Sequence, residues 1–138
     1  MNSTARSSLA PRLLLVEDDD AVRRGLQLLL TGQGYQVHAF SRATLALADP
    51  SAIAASHLVI DYVLPEGDGI EALHVLQSHG WKGCAVLVTA FYSRQLCDTA
   101  LAAGFAAVLP KPFREMELLE ALARDAPVPT GGNPDSTG

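Results

Sequence analysis

Leu13-Leu14-Leu15-Val16-Glu17-Asp18-Asp19-Asp20 decides the fold. Four apolar residues run straight into four acids. An apolar run this short and this pure is expected of a strand buried on both faces, as in a parallel sheet; a half-exposed strand would alternate. The acids then stand where that strand ends. Asp20 is placed to cap the next segment. There Val22, Leu26, Leu29 and Leu30 recur at helical spacing until Thr31-Gly32-Gln33-Gly34 stops them.

The same alternation continues outward along the chain. Tyr35 to Phe40 reads as a strand with partial alternation, which suits a sheet edge. Ser41 is placed to cap a short Ala/Leu helix that ends near Asp49-Pro50. Leu58-Val59-Ile60 is the third strand, and Pro65-Glu66-Gly67-Asp68-Gly69 is turn chemistry. A helix through Ile70, Leu73, Leu76 and Gln77 runs to Gly80. Val86-Leu87-Val88 is the fourth strand, and Arg94 to Ala103 a helix stopped by Gly104. Ala107-Val108-Leu109 is the fifth strand, and Met116, Leu119, Leu122 and Ala123 mark the last helix. Strands and helices in strict alternation predict an α/β fold: a doubly wound, five-stranded parallel sheet with right-handed crossovers and helices on both faces. The strand order expected is 2-1-3-4-5, because the middle strands are the most apolar.

Composition sets the bounds. The chain has 138 residues, of which 49% are hydrophobic and 18% charged, so it builds one domain with its own core. Residues 1–11 are expected to be a disordered leader, 12–126 the folded domain, and 127–138 a flexible tail or linker stub. Ten Lys and Arg against fifteen Asp and Glu give a net charge of -5. That excludes a domain living on nucleic-acid backbone contacts. Cys84 and Cys97 are too few for a disulfide framework and wrongly spaced for a zinc site. No apolar run approaches the roughly 18 residues of a membrane span, and none resembles a signal-peptide core. A reducing cytoplasm is the compartment expected.

On this frame the chemically active residues gather. Glu17 and Asp18 follow strand one, Asp61 strand three, Thr89 strand four and Lys111 strand five. All lie on the carboxyl edge of a parallel sheet, and in the order 2-1-3-4-5 the switch point falls between strands one and three. Glu17, Asp18 and Asp61 converge there and repel unless a cation sits among them; a hard, oxygen-seeking ion such as Mg²⁺ suits them. A carboxylate beside Mg²⁺ is a nucleophile toward a phosphoryl group. Lys111 offers a compact positive charge to a phosphoryl oxygen, and Thr89 a hydroxyl donor.

LLLVEDD, LVIDYVLPEGDG, VLVTA and LPKPF, in this order, resemble the receiver domain of bacterial response regulators over about Arg12 to Ala126. The resemblance implies that Asp61 is the phospho-acceptor and that Glu17 and Asp18 are the acidic pair. It implies that Mg²⁺ is held by Glu17, Asp18, Asp61 and the backbone carbonyl of Val63, with Asp18 and Asp61 as direct ligands and Glu17 acting through water. Thr89 falls on the switch hydroxyl, and Lys111 on the family's lysine, with a cis bond to Pro112. The implied partner is a sensor histidine kinase or a histidine phosphotransfer protein. Output is implied on the face made by helix four, strand five and helix five, leading to an effector domain or an output partner. A homodimer on phosphorylation is open. The chain would then catalyse phosphotransfer to, and hydrolysis from, its own Asp61 without being a turnover enzyme.

The sequence also departs from that family. Val108 stands where receivers commonly carry an aromatic switch residue, and Phe91, Tyr92 and Phe105 are the nearby candidates to compensate. Ala106 and Ala107 place no charge where DNA-binding relatives dimerise through salt bridges. Val63 and Phe91, two residues past Asp61 and Thr89, flank the path of a water attacking the phosphoryl group and cannot orient it. Slow loss of phosphate is therefore expected. Two rival readings belong to other classes. A haloacid dehalogenase-type phosphatase would use Asp18-Asp19-Asp20-Ala21-Val22, but no later acid pair completes its metal site and there is no room for its cap. A flavodoxin-like carrier needs a Ser/Thr/Gly phosphate loop after strand one, where four acids stand instead. His38, His57, His74 and His79 form no cluster in the sequence. Trp81 is expected to cover a helix end.

Overall fold

The computed structural model describes residues 10–124; the proposed leader and tail fall almost wholly outside them. Leu13, Leu14 and Leu15 are fully buried because β1 (Arg12–Val16) has a parallel strand on each side. The five long strands are β1, β2 (Gln36–Phe40), β3 (His57–Asp61), β4 (Cys84–Thr89) and β5 (Ala107–Pro110). All neighbours are parallel, in the order β2-β1-β3-β4-β5, which is the doubly wound arrangement expected. β4 is buried along all six residues, whereas edge strand β2 is only half-buried.

The helices are α1 (Asp20–Gly32), α2 (Ala43–Leu47), α3 (Gly69–Ser78), α4 (Arg94–Ala103) and α5 (Glu115–Ala123). Side chains alternate across each strand, so the sheet feeds two cores. Leu13, Leu15, Val59, Val86 and Val88 meet Leu26 and Leu30 of α1 and Leu118 and Leu122 of α5. Leu14, Val16, Leu58, Ile60 and Leu87 meet Ala46 of α2, Leu73 and Leu76 of α3, and Ala100 of α4. Trp81 closes α3 through its own N–H to the Leu76 carbonyl, while its indole N–H reaches the Ala55 carbonyl at 2.7 Å and its ring joins the second core.

Three local readings are corrected. The cap of α1 is Asp19, not Asp20: its Oδ1 accepts from the Val22 N–H at 2.9 Å. Asp20 is instead the first helical residue and bonds Arg23 at 2.7 Å. Ser41 does not cap α2; Arg42 precedes that helix and no side chain bonds its first turn. The turn read at Pro65–Gly69 is confined to Pro65 and Glu66, the tip of a small antiparallel ribbon with Val63–Leu64 paired to Gly67–Asp68. Asp68 then starts α3 through a capping box with Glu71. Gly69 is required for close approach: a Cβ there would stand 2.6 Å from the Asp61 carbonyl oxygen and 2.8 Å from Leu87 Cδ1.

Candidate functional site

The carboxyl ends of β1, β3, β4 and β5 bring the expected residues to one place. Glu17 leaves β1 with its N–H on the Phe40 carbonyl, so its side chain is turned inward and is 1% exposed. Its Oε2 accepts from the Asp19 N–H at 3.1 Å and its Oε1 from Lys111 Nζ at 2.7 Å. Asp61 ends β3 and is 7% exposed. One of its oxygens takes the Val63 N–H at 3.2 Å, the other Lys111 Nζ at 2.5 Å. Lys111 is fixed from behind: its N–H bonds the Thr89 carbonyl at 2.8 Å, and the Lys111–Pro112 peptide is cis as the resemblance implied. Thr89 ends β4 fully buried, and its Oγ1 accepts the Phe91 N–H at 2.9 Å.

Charge in this pocket is balanced tightly. Burial pushes the Glu17 carboxyl above its usual range; the Lys111 and Asp19 donors offset only part of that, and the Asp61 charge adds to it. Burial works against the Lys111 ammonium too, but its bonds to Asp61 and Glu17 outweigh that and hold its proton more firmly. One ammonium divided between two buried acids explains why the lysine gains while Glu17 stays strained. Carboxylate oxygens of Glu17, Asp18 and Asp61 all lie within 4.8 Å of one another, with Asp18 exposed at the mouth. Three hard oxygen donors, one facing solvent, fit a Mg²⁺ ion, which keeps several waters and needs only one or two carboxylates. Val63 follows in the ribbon, its side chain half-exposed.

Arg23 was not singled out in the sequence, yet its guanidinium donates to the Glu17 carbonyl at 2.9 Å and so braces the acidic turn. The signal was its spacing three residues past Asp20. The histidines do not share a site: His57 bonds the Leu122 carbonyl and Ser56, and His79 the Val75 carbonyl. Val108 is partly buried against the core that holds Phe105, and Phe105 is itself buried there. Tyr92 is half-exposed, with its hydroxyl hydrogen-bonded to Cys97, whereas Phe91 is 68% exposed. Among the described residues no helix is long and apolar enough to cross a membrane.

The chain can now be set beside known proteins. Residues 13–123 match the family model for the response regulator receiver domain. Regulatory protein AtoC of Escherichia coli is 34% identical over 107 residues, 78% of this chain and 23% of AtoC. Response regulator MprA of Mycobacterium bovis is 35% identical over 111 residues, 80% of this chain and 48% of MprA. The chain thus spans about half, or less, of these relatives. Among solved structures, the non-phosphorylated HemR receiver domain from Leptospira biflexa superposes with a TM-score of 0.72 at 29% identity, covering 81% of this chain and 90% of that one. Response regulator StyR gives a TM-score of 0.76 at 32% identity, covering 85% of this chain and 59% of that one.

Proposed function

This chain belongs to the response regulator receiver domains, and on that premise we propose that it takes a phosphoryl group onto Asp61 from a sensor histidine kinase or a histidine phosphotransfer protein. The observation that carries this is the Lys111 ammonium bridging Asp61 and Glu17 beside the buried Thr89 hydroxyl. In the transfer, an Asp61 carboxylate oxygen attacks phosphorus, the O–P bond forms, the N–P bond to the donor imidazole breaks, and the freed nitrogen keeps the electron pair. Lys111 and Thr89 would bond the transferred oxygens, one as a charge and one as a hydroxyl donor. Asp18 and Asp61 would hold Mg²⁺ directly, Glu17 through water, and the Val63 carbonyl would complete the protein ligands. The bound ion would screen phosphoryl charge from the acidic pocket. Hydrolysis then returns the carboxylate and inorganic phosphate, so the domain reports one transfer and is not a turnover enzyme.

The signal would leave through the face of α4, β5 and α5, toward an effector domain or output partner. That domain arrangement would work in the cytoplasm. A phosphorylation-linked homodimer on this face would rest on packing, since Ala106 and Ala107 bring no charge.

With Mg²⁺ and a small phosphodonor, the protein should gain about 80 Da, and Asp61→Asn should abolish the gain. Labelling that survives in Asp61→Asn but is lost in Asp18→Asn would instead support the haloacid dehalogenase-type chemistry. Phosphate should be lost slowly, because neither Val63 nor Phe91 offers a hydrogen bond to an attacking water. Val63→Asn with Phe91→Ala should speed that loss about tenfold, equivalent to ~1.4 kcal/mol of barrier. An unchanged rate of mass loss would show that these two side chains do not control the attacking water.

A further inference from the structure

Between α3 and α4, next to the phospho-acceptor, lies a depression of about 310 Å³. Its walls are Tyr62, Ile70, Leu96, Ser93, Gln95 and Thr99, and Phe91 stands at its rim. None of these residues is charged. Two of the polar ones are bonded to the backbone: the Ser93 hydroxyl caps α4 at the Leu96 N–H, and the Thr99 hydroxyl donates to the Gln95 carbonyl. The hollow is therefore uncharged, with Ile70 and Leu96 as its apolar walls, and it is roomy, since a cavity of about 150 Å³ already admits benzene.

The rim residue is the one exposed aromatic tied to the switch. Phe91 is 68% exposed, and its N–H is bound to the Thr89 side chain rather than to a main-chain carbonyl. Phe105 is buried in the core, and the Tyr92 hydroxyl faces Cys97 of α4, so the Phe91 bond to Thr89 singles that ring out. Thr89 Oγ1 thus has two demands on it: it accepts from Phe91, and it is the hydroxyl placed to donate to a phosphoryl group on Asp61. A turn of Thr89 toward that group shifts the acceptor that positions Phe91.

We infer that Phe91 is the aromatic switch of this receiver: when Asp61 carries phosphate, Thr89 turns, the 90–93 segment follows, and the Phe91 ring leaves solvent for the hollow between α3 and α4. This rests on the phosphorylation of Asp61 proposed above. The driving force is burial of an exposed ring in a site with no charge to desolvate. It places the conformational signal one helix away from the residue at which Val108 replaces the usual aromatic.

A Thr99→Cys variant puts a thiol in the wall of the hollow. Its alkylation rate is followed peptide by peptide by mass spectrometry, with the phosphoryl gain read as intact mass in the same sample. Alkylation should slow several-fold once the mass gain is complete, and the slowing should vanish when Phe91→Ala is added. An unchanged rate in protein that has gained the phosphoryl mass overturns the inference while leaving the phosphorylation reading intact, and so does slowing that persists without Phe91. No mass gain at all removes the phosphorylation reading and this inference with it. A trifluoromethyl label on the Phe91 ring gives a second readout that leaves the hollow unaltered: its ¹⁹F signal should move to a buried environment on phosphorylation, and a signal that stays solvent-exposed refutes the swing.

Discussion

The two edges of the sheet treat charge in opposite ways. At the carboxyl edge, Glu17 and Asp61 are buried and share the Lys111 ammonium. At the amino edge, Arg12 and His57 are each half-buried, and His57 is pushed toward its neutral form. Burial lowers its affinity for a proton more than its bond to the Leu122 carbonyl raises it. Its Nε2 lies 3.1 Å from that carbonyl and its Nδ1 2.7 Å from the Ser56 hydroxyl. The neutral tautomer that donates from Nε2 and accepts at Nδ1 satisfies both. The His57 clamp therefore joins β3 to the end of α5 without placing an ion between them. The carboxyl edge concentrates ions that a fold alone does not need, which makes it the candidate side for chemistry.

The largest test removes the cation. Lys111→Met leaves Glu17 and Asp61 buried without it, and unfolding at pH 8 without divalent ions should be easier by about 3 kcal/mol. Glu17 is held above 4.5 already, and more so in the variant. The folded variant binds a proton before the unfolded chain does, so its stability should recover as pH falls through that raised value toward 4.5. Added Mg²⁺ should restore stability at pH 8 as well. A variant as stable as the parent under every condition would show that the edge is not charge-strained.

A smaller test separates structural acids from chemical ones within the same four-residue run. Asp19→Ala should cost about 1 kcal/mol, the usual value of an N-cap, whereas Asp20→Ala, which loses an exposed pair with Arg23, should cost about 0.3 kcal/mol. Denaturant midpoints would show the difference, and equal costs would return the cap to Asp20.

The smallest effect belongs to the amino edge. The His57 proton affinity is lowered in the folded state, so the unfolded chain takes up the proton first and stability should fall as pH drops below 6.5. His57→Gln should flatten that part of the pH profile. A slope that persists in the variant would mean that the amino edge carries some other titrating group.

The sheet order and the site were legible because the two signals coincide: strands buried on both faces are wholly apolar, and the reactive residues interrupt them only at the carboxyl ends. Four acids in a row hid the cap: the sequence points to Asp20, and only the turn into α1 shows that Asp19 takes the role. The Val63–Asp68 ribbon was hidden because two residues per strand show no alternation. The His57 clamp joins residues 65 apart, and nothing local announces it. The bond from the Phe91 N–H to Thr89 was invisible for another reason: it pairs a main-chain donor, which every residue has, with a hydroxyl whose direction is set by the strand end.

The pocket is built like a vice. On its Asp61 side the Tyr62 N–H is bonded to the Val88 carbonyl and the Gly69 N–H to the Tyr62 carbonyl, each at 2.9 Å, and the missing Cβ of Gly69 lets α3 press directly on the strand. That jaw is bolted to the bench. The opposite jaw hangs at Phe91 from a single pin, a hydroxyl that can rotate. On the proposed reading, a phosphoryl group entering between them would move the second jaw and leave the first in place.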